Sequence, residues 1–333
     1  MLRILHNTKV DFIRLWRWST AITALFIIPG IILIAVSGFR YSIEFTGGTL
    51  MQLEFKQPVD VSEVRTALAD AGITGAEIQR FGTPREVVVR AQEEHHVAQQ
   101  SVGAESIAQR IRNALTARYG ADAYRVLRTE GVSPRVGAEL RQQALIAILL
   151  SFAATLVYLA WRFEWRFGVA AILATLHDIA ATLAFMRYMN LEISLFVVGA
   201  VLTVIGYSLN DTVVVFDRVR ENLKLQRKMS LYDILNLSVN ETLPRTVMTG
   251  STTLATLLAL LIFGGEVIRP FAWVLTFGIL VGTFSSIFVA GPVLLYIERK
   301  WPRAAGEKGG VTRSQLEPTT ESKRRAAEPV ATR

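Results

Sequence analysis

The chain has 333 residues, 51% of them hydrophobic, no cysteine and a formal charge of +8. The absence of thiols excludes disulfides, thiolate metal sites and a cysteine nucleophile, and four histidines without HExxH or paired spacing argue against zinc. A composition this apolar, with several runs near about 20 residues, is that of a membrane protein, where excess cationic charge sets orientation and binds lipid headgroups rather than nucleic acid.

The N-terminal stretch, residues 1–17, carries Leu2, Leu5, Ile13, Leu15 and Trp16 among cations, a pattern expected to lie along the inner membrane interface. The first apolar run, residues 18–38, is too long for a signal-peptide core and no A-x-A site follows it. It is expected to be an uncleaved signal-anchor helix.

Residues 39–140 read as a folded extracytoplasmic domain. Residues 49–55 alternate as a strand, and residues 61–71 place Val61, Val64, Leu68 and Ala71 on one helical stripe. Strands are predicted at 77–81 and 86–90, joined by the turn Gly82-Thr83-Pro84-Arg85. A helix at 102–119 and a strand at 124–128 complete the order β-α-β-β-α-β, that of a small α+β ferredoxin-like fold. His95 and His96 fall in a polar stretch, 92–101, read as a solvated loop. Both ends of the domain are rich in Gly and Pro (Glu44 to Thr49, and Gly131 to Gly137), which suits either plain linkers or hinges.

Five further spans follow at 141–160, 167–188, 193–216, 247–263 and 271–296, so that residues 141–298 form a membrane bundle and residues 299–333 a disordered basic tail. The third span is the least apolar because it contains His177 and Asp178. Arg and Lys concentrate before the first span, at Arg162 and Arg166, at Arg218 to Lys228 and in the tail. Six crossings put all four segments on one side, so both termini are expected in the cytoplasm.

Asp211 is the costliest residue in this plan. A carboxylate in hydrocarbon costs about 2.5–3.5 kcal/mol on insertion scales. Its neighbours Ser208 and Asn210 are able to hydrogen-bond it and are open to either a proton relay or a packing role, and small residues around it suit a helix interface. Arg245, after Pro244 at the start of the fifth span, lies at comparable depth if the fourth and fifth spans are neighbours. It either faces Asp211 or snorkels to the headgroups. His177 and Asp178 are open to two readings, a proton relay or packing contacts. Asp217, Arg218, Arg220 and Glu221 read as interfacial ion pairs, and the hydroxyls of Thr246, Thr249, Ser251, Thr252 and Thr253 suit either water guidance or close helix packing.

Four segments together resemble the SecF family, subunits of the SecD–SecF accessory complex of bacterial protein export within the RND superfamily. They are Glu44 to Gly48 (F-x-GG), Gly206 to Asn222 (GYSLNDTVVVFDRVREN), Arg245 to Ser251 (RTVMTGS) and Gly282 to Ala290 (GTFSSIFVA). The second is long and specific; the others alone are weak. The chain departs from the pattern at Glu44, where Asp is expected, and at Ser133-Pro134, where Gly-Pro is common.

The resemblance implies an α-helical integral membrane protein of the bacterial inner membrane, with a six-helix RND-type bundle. It implies a SecD-like partner, the SecYEG channel, exported polypeptides as clients and the proton-motive force as fuel. It also makes Asp211 and Arg245 the proton pathway, and Phe45, Gly47 and Gly48 the motif of a moving outer domain. No cofactor and no enzyme activity are implied, and no Walker A sequence is present, so ATP is not the expected fuel. Two alternatives are half of an RND-type exporter of small molecules or lipids, for which the outer domain is small, and a non-transporting scaffold.

Overall fold

The computed structural model describes residues 8–91 and 103–301. The expectations for Leu2, Leu5, His95, His96, residue 102 and the tail from residue 302 lie outside the described residues. The chain divides into two compact units: Phe39–Ile148 with Glu192–Val198, and the described parts of Met1–Gly38, Leu149–Leu191 and Gly199–Arg333.

The first unit is built on a four-stranded antiparallel sheet. Its strands are β2 (Gly48–Phe55), β3 (Glu77–Phe81), β4 (Thr83–Ala91) and β5 (Tyr124–Val132), in the order β3-β4-β2-β5. Helices α3 (Val61–Asp70) and α4 (Gly103–Tyr119) follow β2 and β4 in the chain. Side chains alternate along β2, so that Met51, Leu53 and Phe55 join Val87 and Val89 of β4 in a core closed by Val64, Leu68, Ile111 and Leu115. Asp60 caps α3 by accepting the Ser62 backbone N–H at 2.8 Å, and that bond holds its carboxyl below the ordinary aspartate value.

β4 and β5 are longer than expected. The predicted four-residue turn shrinks to Gly82, which has φ +69°, and strand pairing begins at Thr83. β5 continues to Val132 because Gly131 and Val132 pair with Thr49 and Gly48. The Gly-rich stretch read as a linker is therefore partly sheet. A separate two-residue strand, β1 (Arg40–Tyr41), pairs in parallel with β6 (Glu192–Ile193). Between β1 and β2 lies the four-residue helix α2 (Ile43–Thr46).

The second unit is helical. Six helical segments are long and apolar enough to cross a membrane: Ile13–Ser37, Pro134–Arg162, Trp165–Tyr188, Leu195–Leu225, Leu231–Phe263 and Gly265–Lys300. They contain α1 (Trp16–Ser37), α5 (Pro134–Arg162), α6 (Trp165–Tyr188), α7 (Leu195–Leu225), α8 (Leu231–Phe263) and α9 (Gly265–Phe288), the last continued by α10 (Ala290–Lys300).

Three helices outrun the apolar stretches that announce them. α7 passes residue 216 and ends at Leu225, α8 starts at Leu231 instead of Val247, and α5 starts at Pro134. Proline is tolerated in a first helical turn, where its missing N–H has no intrahelical partner anyway, so Pro134 opens the helix instead of breaking a linker. The stretch between the expected fourth and fifth spans is thus mostly helix, and Arg245 sits inside α8, one residue after its internal Pro244.

Small residues let the helices approach closely. A Cβ on Gly30 of α1 would collide with Ala184 of α6, and Tyr188 of that helix donates to the Phe26 carbonyl at 2.7 Å. Within the described part of the N-terminal segment, residues 10–13 pack against α8. Phe12 and Ile13 are buried, and Asp11 accepts from Tyr232 at 2.7 Å and Asn236 at 2.8 Å on the first turns of α8. Arg166, at the start of α6, is buried with Glu298 of α10 at 2.9 Å, and two buried ions hold only because they pair.

Candidate functional site

α7 supplies the polar spine of the bundle. Tyr207, Ser208 and Asp211 fall within about one turn of each other, and Asp211 lies about 24 Å from the N-terminal end of the helix at 1.5 Å per residue. The carboxylate is 3% exposed and its Oδ2 has no hydrogen-bond partner. Neither expected neighbour serves it. The Ser208 hydroxyl points to another helix, and Asn210 is exposed. Among the described residues, Arg245 of α8 acts on Asp211 as a counter-charge. No ion pair between them is formed among the described residues, so Arg245 is a nearby counter-charge and not a locked partner.

Asp178 of α6 has the opposite character. It is buried and fully engaged. Its Oδ2 accepts from Ser208 of α7 and from Ser285 of α9 at 2.6 Å, and its Oδ1 meets His177 Nδ1 at 2.9 Å. His177 Nε2 is buried without a partner. This carboxylate bolts three helices together. The close approach needs glycine on α9: a Cβ on Gly282 would lie 3.0 Å from Ser208 Cβ, and one on Gly278 would run into Val204.

A second polar spot lies where α7, α8 and α9 meet. The hydroxyls of Tyr207 and Thr283 are buried and unbonded, and both face Gly250, whose absent Cβ would stand 4.0 Å from the first and 3.4 Å from the second. Thr212 adds a third unbonded hydroxyl on the α7 spine.

α8 carries the opposite kind of surface. Arg245, Thr249, Thr252 and Thr256 recur at spacings of four, three and four, and all are exposed. Thr249, Thr252 and Thr256 each donate to a carbonyl one turn back, at 3.1, 3.0 and 3.2 Å. Their hydroxyls are therefore satisfied within the helix, which makes the stripe small and smooth, a packing face more than a water conduit. At the end of α7, Arg218 bonds Glu221 at 2.6 Å and Glu241 at 2.7 Å, while Arg162 bonds Asp217 at 2.7 Å.

The F-x-GG residues take no part in this cluster. Phe45 is buried, and Gly47 has φ +74° with its Cα pressed on Pro134, where a Cβ would come within 2.6 Å of the proline Cα. Gly48, at φ +121°, opens β2. Ser285, Tyr207, Thr283 and Gly250 are not singled out by the sequence, although all four lie in the runs 206–222, 245–251 and 282–290 that carry the resemblance. Among the described residues no group of three or more His, Cys, Asp or Glu could hold a metal.

Six apolar helices, with a small sheet domain inserted after the first, define a polytopic membrane protein that carries buried ionisable groups. Residues 112–300 match the family model for "Protein export membrane protein SecD/SecF, C-terminal", and residues 32–59 match "SecD/SecF GG Motif". The chain is 57% identical over 305 residues to the protein translocase subunit SecF of Gemmatimonas aurantiaca, covering 91% of each chain. It is 36% identical to the SecF of Escherichia coli O157:H7, covering 89% of this chain and 90% of that one. Among solved structures it is similar to SecDF, a translocon-associated membrane protein from Thermus, with a TM-score of 0.78 and 37% identity. That match covers 90% of this chain and 40% of the SecDF chain, and a second SecDF form gives a TM-score of 0.64 over 39% of its chain. The chain belongs to the SecF family of bacterial protein-export membrane proteins, and its role is that of the SecF subunit in protein export.

Proposed function

We propose that this chain couples the proton-motive force to export, with Asp211 as the proton-carrying group and Arg245 as its counter-charge. The observation that carries the reading is the contrast between two buried carboxylates. Asp178 is engaged by Ser208, Ser285 and His177, whereas Asp211 keeps an oxygen without a hydrogen bond and feels the charge of Arg245. A carboxylate already holding its hydrogen bonds has little to gain from a proton; one with an open oxygen can take and release it. His177 and Asp178 then serve packing in the first instance.

The half-site is completed by a partner. The stripe Arg245–Thr249–Thr252–Thr256 is small and carries a charge, and such a face suits another protein helix better than lipid. A SecD-like subunit fits this place, and the SecYEG channel with its exported polypeptides lies beyond it. The inserted domain is read as ferredoxin-like and extracytoplasmic, supported by its β3-β4-β2-β5 antiparallel order. The Arg and Lys distribution favours cytoplasmic termini. Moving one charge through 100 mV yields about 2.3 kcal/mol, so a few protons per cycle suffice for a domain motion.

The test is Asp211→Asn in the complex with the SecD-like subunit, assayed for preprotein export in vesicles with and without a proton-motive force. The expected result is loss of the stimulation by the proton-motive force with the complex still assembled. Stimulation equal to wild type would leave a scaffold role and remove the proton role.

A further inference from the structure

The chain segment between the first helix and the sheet holds two other helices by their N-terminal ends. The Glu44 side chain of α2 reaches the start of α7, where its Oε2 accepts the Leu195 backbone N–H at 2.6 Å. α7 already has a local cap: Ser194 Oγ accepts from Val197 N–H at 3.3 Å. The first-turn amides of a helix need outside acceptors, and a carboxylate there also suits the positive end of the helix dipole. Glu44 fills this need from a segment 151 residues away. Two further ties run alongside. Ser42 N–H donates to Ile193 O at 2.9 Å, and β1 pairs with β6 at Arg40↔Glu192 and Tyr41↔Ile193. Arg40 and Arg90 both pair with Glu192, and Glu77 joins them from β3.

The same segment grips α5. Gly47 is seated on Pro134, and a Cβ on Gly137 would stand 2.9 Å from Gly47 N and 3.2 Å from the Phe45 carbonyl. Ile43, Phe45, Gly47 and Gly48 are all buried, so the grip has no slack. Its far end is Gly48, the first residue of β2, which pairs with both β4 and β5.

We propose that Arg40 to Gly48 is a clasp on the N-terminal ends of α5 and α7, and that Glu44 is the positioning residue through which displacement of α7 reaches β2. The proposal rests on the proton reading above, because α7 is the helix that carries Asp211. A shift of α7 that follows protonation pulls on Leu195, and the Glu44 bond hands that pull to α2 and the strand beyond it. The motif glycines are then required for contact: they let the chain lie against Pro134 and the α5 backbone with no Cβ between.

The test separates capping from transmission. Glu44→Ala, Glu44→Gln and Glu44→Ala with Ser194→Asp are made in the full complex. Two quantities are read: amide hydrogen exchange over residues 195–198, and export stimulated by the proton-motive force. Glu44→Ala should raise exchange and cut the stimulated export several-fold. Glu44→Gln should keep most of both, because its amide oxygen still accepts the Leu195 N–H. Adding Ser194→Asp should restore protection of the α7 start but not export, since the new cap belongs to α7 itself. Recovery of both would reduce Glu44 to a helix cap and overturn the clasp, as would wild-type export by Glu44→Ala. A defective Asp211→Asn beside a normal Glu44→Ala sinks the clasp alone; a normal Asp211→Asn sinks the proton reading and the clasp with it.

Discussion

At the scale of single residues, the bundle contains two buried aspartates with opposite duties. Asp178 is an acceptor for groups on three helices, so its loss leaves the Ser208 hydroxyl without its acceptor, while Ser285 keeps the Gly282 carbonyl at 3.1 Å. An unsatisfied buried polar group costs about 1–3 kcal/mol. Asp178→Ala should therefore lower the midpoint of thermal unfolding in detergent clearly, whereas Asp211→Asn should leave it near wild type while removing proton drive. A scanning-fluorescence melt of the two variants side by side checks the division, and equal melting losses would contradict it. The importance of Asp211 was readable from the sequence because a charge in an apolar run is conspicuous whatever surrounds it. Its surroundings were not readable. Ser208 stands one turn before Asp211 and was assigned to it, yet its hydroxyl turns to Asp178, 30 residues upstream. Local spacing names the residues that could meet on one helix; which of them turns toward a neighbouring helix depends on packing between distant segments.

At the scale of elements, glycine sets the distance between α7 and α9. With Gly282 facing Ser208 at a would-be Cβ separation of 3.0 Å, Gly282→Val adds three carbons where one barely fits. Overpacking of this kind costs about 1–3 kcal/mol. The expected outcome is a lower melting midpoint together with loss of the Ser285 bond to Asp178, detectable as faster exchange around residue 285; an unchanged melt would mean the helices part freely. The apolar cores of the spans were legible because transfer into hydrocarbon depends on side-chain hydropathy alone. The true helix ends were not. Hydropathy falls where the hydrocarbon stops, while backbone hydrogen bonding in α7 and α8 continues into charged sequence held by Arg218, Glu221 and Glu241. The sheet was legible in its order but not in its extent, because Gly131 and Val132 read as linker until their partners on β2 are known.

At the scale of the whole molecule, the cysteine-free sequence makes topology directly measurable. Single cysteines at Arg227 and at Arg85 should react with a membrane-impermeant maleimide from opposite sides, the first only after the inner face is opened. Labelling at position 227 from outside, with position 85 protected, would reverse the proposed orientation. The buried pair Arg166–Glu298 has a consequence for how the protein is made. Its members are 132 residues apart in the chain. At about 5–20 residues per second, a ribosome finishes Arg166 roughly 7–26 seconds before it reaches Glu298. During that interval the third helix carries a cation whose final partner does not yet exist. The nascent chain must wait at the insertion machinery, with Arg166 solvated or borrowed by a helper, until the last helix emerges. Truncation before residue 298 should therefore leave a chain that is degraded in the cell even though every span but the end of the sixth has been synthesised.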